Sequence, residues 1–66
     1  MKLQFDIYSR GGSANYYYWT LSEVLLPENV VLCTSPDYAS VEEARNVVRK
    51  IKDGSKTAKV VEHIQV

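Results

Sequence analysis

Two short segments of alternating aromatic and aliphatic residues, separated by a glycine-containing turn, constrain this chain more than anything else in it. In residues 3–8, Leu3, Phe5 and Ile7 alternate with Gln4, Asp6 and Tyr8, which is the period-2 pattern of a strand with one face buried. Residues 16–21, Tyr-Tyr-Tyr-Trp-Thr-Leu, hold aromatic and β-branched side chains that suit a pleated surface. Between them, Arg10-Gly11-Gly12-Ser13-Ala14-Asn15 consists of residues that tolerate turns. The pair reads as a β-hairpin. Setting Tyr8 opposite Tyr16 puts Ile7 opposite Tyr17, Phe5 opposite Trp19 and Leu3 opposite Leu21, so the largest apolar side chains share one face. A slip of one residue would destroy that match.

Further along, residues 22–29 form a loop in which Pro27 argues against central pairing, while Leu25 and Leu26 are expected to fold back onto the core. Residues 30–34, Val-Val-Leu-Cys-Thr, read as a short apolar third strand, and Ser35-Pro36-Asp37 as a turn, since a residue before proline avoids the helical region. Ser40-Val41-Glu42-Glu43 has the form of a capping box: the Ser40 hydroxyl accepts from the Glu43 amide and the Glu43 carboxylate reaches back to the Ser40 amide. In the helix that follows, Val41, Ala44, Val47, Val48 and Ile51 make one buried stripe, with Glu42, Arg45, Arg49 and Lys50 on the wet side. Gly54 is expected to end it in the left-handed conformation. Residues 59–66 are β-prone and terminal, and read either as a frayed tail or as a fourth strand, paired within the chain or across a dimer. The fold class expected is therefore α+β: a three- to four-stranded antiparallel sheet with one helix on one face. It forms a single domain with its core in residues 3–53 and a tail over residues 54–66.

At 66 residues, such a domain buries only about 60 % of the surface its unfolded chain exposes, which makes help from a second subunit an expectation. Eight basic residues balance eight acidic ones, so the excess of positive charge that drives binding to nucleic acid or anionic membrane is missing. A single cysteine, Cys33, cannot form an internal disulfide, and Lys2 and Asp6 interrupt the apolar run that a leader peptide needs. Both features favour a reducing, cytoplasmic setting.

The residues able to do chemistry are few and scattered. Cys33 sits in an apolar strand, thirty positions from the only histidine, His63, and reads as a small buried hydrophobe rather than a nucleophile. One histidine and one cysteine do not make a four-ligand metal site. Glu42 and Glu43 are adjacent on a helix and so point about 100° apart, and with Asp37 they read as capping or solvated groups. Arg10-Gly11-Gly12-Ser13 lacks the helix and lysine of a phosphate loop. No catalytic residue, metal or cofactor is expected. The tyrosines differ: Tyr8, Tyr16 and Tyr18 would lie together on the face away from the helix. That patch would serve as a subunit interface, as a stacking platform for a base or flat ligand, or simply stay partly exposed.

Taken in order, Phe5-x-Ile7-Tyr8, Trp19-x-Leu21, Val31 leading into Thr34-Ser35-x-x-Tyr38-x-Ser40, and Ala44-x-Asn46-x-Val48-x-x-Ile51 resemble the YegP-like family, small domains grouped as domain of unknown function 1508. The resemblance covers residues 5 to about 52. It implies a β-β-β-α unit, transfers no catalytic residue, and, because many members carry two tandem copies, implies that a single-copy chain pairs with another. Members usually have a polar, glycine-containing turn where this chain has Val24-Leu25-Leu26-Pro27-Glu28-Asn29, and often glycine where Val47 stands. The resulting expectation is a non-enzymatic module that forms a homodimer through Tyr8, Tyr16 and Tyr18. The alternative is a binder of single-stranded nucleic acid or a flat small molecule through the same rings.

Overall fold

A computed structural model of the chain describes residues 1–11 and 15–64. Three strands, β1 (Leu3–Arg10), β2 (Tyr16–Glu23) and β3 (Val30–Thr34), form an antiparallel sheet in the order β1-β2-β3, followed by the helix α1 (Val41–Gly54) and a 3-10 turn, Ser55–Thr57. This is the expected α+β class. Residues 12–14 of the hairpin turn, and with them Gly12 and Ser13 of the loop weighed as a phosphate cradle, lie outside the described residues, as do residues 65–66.

The hairpin register differs from the expected one by two residues. Tyr8 faces Tyr18, Ile7 faces Trp19, Phe5 faces Leu21, Leu3 faces Glu23 and Arg10 faces Tyr16. Both strands run two residues further than the alternation alone marks, to Arg10 and to Glu23, and the longer ladder satisfies more backbone groups. Side chains alternate with period two, so an even slip leaves every residue on its expected face. Phe5 and Trp19 remain neighbours on the helix side, packed edge-to-face with ring centroids 5.5 Å apart at 72°, a geometry aromatic pairs favour.

Between β2 and β3 the ladder passes from Leu21↔Cys33 to Ser22↔Val31, so Leu32 is the extra residue of a bulge. Beyond β3 the chain does not turn at residues 35–37 as expected but continues along β2. Ser35 donates its N–H to the Trp19 carbonyl at 2.9 Å, and its Oγ accepts the Trp19 N–H at 2.8 Å while donating to the Pro36 carbonyl at 2.9 Å. Tyr38 then exchanges both backbone hydrogen bonds with Tyr17, at 2.9 and 2.7 Å. This keeps β2 paired along its length past a proline that has no N–H of its own.

Ser40 caps α1, accepting the Glu43 N–H at 3.2 Å. The Glu43 carboxylate reaches Ala39 N–H, at 3.2 Å, rather than Ser40, one residue further out than in a standard capping box. Gly54 does not adopt the left-handed conformation; its φ is −90°. The helix tightens into the 3-10 turn instead, with Ser55 N–H bonded to the Ile51 carbonyl and Ser55 Oγ to that of Lys52 at 3.1 Å.

The helix presents the expected stripe, with Ala44 fully enclosed and Val41, Val47, Val48 and Ile51 half-buried, but it lies over β1 and β2 only and does not reach β3. Two expectations fail for that reason. Cys33 is exposed, not buried. Leu25 and Leu26 do not return to the core, and Leu26 is 97 % exposed. Of the readings left open for the tail, a fourth strand within the chain does not form among residues 58–64, where Val60 is 90 % exposed. Trp19 and Ala44 are the only buried apolar residues among those described. The molecule is correspondingly open: its accessible surface is 5710 Å², against about 4,200 Å² expected at 7.5 kDa. Its radius of gyration is 14.4 Å, where a compact chain of this length has about 11 Å.

Candidate functional site on the tyrosine face

On the side of the sheet away from α1, the observed register brings the three predicted tyrosines together. Tyr8 and Tyr18, directly paired, stack with centroids 5.2 Å apart and planes inclined by 25°. Tyr16 lies one step along β2, opposite Arg10. Tyr8 and Tyr16 are each nearly half exposed and Tyr18 is partly covered. What covers Tyr18 is in part Arg10, whose guanidinium carbon stands 4.4 Å from the ring centroid, an attraction between a cation and an aromatic face.

Arg10 is in turn held by Asp37. Its Nε donates to the Asp37 carboxylate at 2.7 Å across 27 residues of sequence, and this hydrogen bond, with the charge of Asp37, raises the already high pKa of the guanidinium. Both partners are well exposed, so the pair contributes little stability; its effect is to fix the guanidinium over Tyr18. Among the described residues the terminal nitrogens of Arg10 make no hydrogen bond, which leaves donors facing solvent at the edge of the aromatic stack. The sequence alone places Arg10 near the rings but does not show its pairing with Asp37, because each lies in a segment that reads as a turn and no local spacing links them.

The other candidates stay apart. Two grooves of roughly 250 and 290 Å³ flank the helix, one lined by Ile7, Val48 and charged residues of α1, the other by Leu3, Phe5, Leu21 and Ile51. Neither contains Cys33 or His63. Among the described residues no three of the histidine, cysteine and acidic side chains gather closely enough to hold a metal ion, and no helix is long and apolar enough to cross a membrane.

Fold and face together define a small α+β domain with an aromatic platform on one side of its sheet. No described protein family, no curated protein and no solved structure matches the chain.

Proposed function

We propose that this chain is a small, non-enzymatic, self-associating interaction module in which a second copy covers the tyrosine face. The observation that supports this most is the excess of exposed surface over that of a compact chain of its mass, with β3 left uncovered by the helix. A partner is the usual remedy for a domain with so little core. Tyr8, Tyr16 and Tyr18 suit the role of anchors, since the Tyr8–Tyr18 stack and Arg10 already restrict two of the rings and leave less freedom to lose on association. The β-β-β-α order is also the one the YegP-like resemblance implies, and a reducing, cytoplasmic setting suits the exposed free thiol of Cys33.

At tens of micromolar, sedimentation should give twice the 7.5 kDa mass; a strict monomer rules the reading out. Replacing Tyr8 and Tyr16 together by serine should weaken the dimer by about 2 kcal/mol, about thirtyfold in Kd.

A second reading, single-stranded nucleic acid or a flat small molecule stacked on the same rings, is favoured by one feature, the solvent-facing donors of Arg10 beside exposed Tyr8 and Tyr16. Tyrosine fluorescence is the reporter for it, because Trp19 is buried on the opposite face. Titration with short oligonucleotides should then show quenching that weakens with salt, and a flat response at low salt discards this alternative.

A further inference from the structure

β3 forms one margin of the sheet, and its outward backbone groups have no partner among the described residues. Natural edges are guarded by charges or proline. The β1 edge follows that rule with Asp6 and Arg10, whereas β3, Val-Val-Leu-Cys-Thr, carries neither. Elsewhere in the chain a segment of matching character has no partner either. Residues 59–64 include the β-branched Val60, Val61 and Ile64, which are 90 %, 67 % and 73 % exposed and stand clear of their own domain. Six extended residues span about 20 Å, enough to cover the five of β3.

We infer that residues 59–64 of one copy add to the free edge of β3 in a second copy, so that two chains exchange arms and each sheet gains a fourth strand. The inference rests on the self-association proposed above and identifies a contact distinct from the tyrosine face. Three observations carry it. Apolar side chains stand on both faces of each segment, Val30 and Cys33 against Val31 in β3 and Val60 and Ile64 against Val61 in the arm, so pairing buries apolar surface whichever way the arm faces. β3 is uncharged and Lys59 balances Glu62, so no net charge opposes the contact. The surplus of about 1,500 Å² over a compact chain exceeds the roughly 800 Å² that each partner buries in a standard interface.

The test uses the native thiol. Size-tagged chains carrying Cys33→Ser together with Val60→Cys, Val61→Cys, Glu62→Cys or His63→Cys are each mixed with the wild type and oxidised mildly, so that any disulfide between tagged and untagged chains joins Cys33 to an arm of a different molecule. Successive strand residues face opposite sides, so linkage should alternate along the four positions, severalfold stronger at those sharing the face of Cys33. Absence of linkage at all four overturns the exchange. Deleting residues 59–66 supplies the second arm of the test. If the wild type sediments as a dimer and the deleted chain dimerises just as tightly, strand exchange is wrong while self-association stands; a wild type that is monomeric removes both.

Discussion

Trp19→Ala is expected to lower the thermal midpoint by at least about 12 °C at matched protein concentration. Trp19 is the largest buried apolar side chain of the described residues and the one that both Phe5 and the helix pack against. Truncating a buried tryptophan to alanine costs about 3–5 kcal/mol, and a domain of this length has a total stability of about 3–10 kcal/mol. Each 1 kcal/mol shifts the midpoint of so small a domain by about 4–8 °C. Circular dichroism melts measure this directly, and a midpoint within a few degrees of the wild type would mean that the sheet and helix do not meet around this ring. Trp19→Phe is the informative control. The indole N–H is buried without a hydrogen-bond partner among the described residues, so phenylalanine gives up volume but no hydrogen bond, and a loss of only about 1 kcal/mol is expected.

Ser35→Ala is the second large effect, out of proportion to the single oxygen removed. Ser35 is buried, and its hydroxyl accepts the Trp19 N–H while donating to the Pro36 carbonyl. Alanine leaves a buried backbone donor on the central strand unpaired, which costs about 1–3 kcal/mol. Two other serines set the scale. Ser40→Ala removes the helix cap and should cost about 1 kcal/mol, and Ser9→Ala, at an exposed position, should stay within about 0.5 kcal/mol. Denaturant midpoints should fall in the order Ser9, Ser40, Ser35, with Ser35→Ala lowest. A midpoint for Ser35→Ala level with that of Ser9→Ala would show that the continuation of the chain along β2 is not held by this hydroxyl.

Most of the architecture is legible in the residues because it follows from local rules. Alternation in residues 3–8 and 16–21 marks two strands and their faces, the bounds of β3 coincide with an uncharged run ended by Ser35-Pro36, and Ser40 with Glu43 marks where α1 begins. The finer features depend on contacts distant in sequence. Hairpin register is set by how far the ladder extends, and nothing in the alternation separates two registers of equal parity. Ser35-Pro36-Asp37 reads as a turn because proline usually makes one, and only the bonds of Ser35 to Trp19 and of Tyr38 to Tyr17 keep this stretch against β2. Cys33 and Leu25 look buried because apolar residues usually are, but burial requires a roof, and the width of the roof is set by where one helix docks. At the candidate site the tyrosine face follows from parity alone, whereas the Arg10–Asp37 pair joins residues 27 apart and leaves no trace in spacing.

The offset of α1 toward β1 and β2 divides the domain into unequal parts. The hairpin is covered on one side by the helix, while β3, among the described residues, depends on its single neighbouring strand to remain in place. Loosening should therefore begin at Val30–Thr34 and spread inward, and whatever docks along that margin governs how firmly the whole unit is closed.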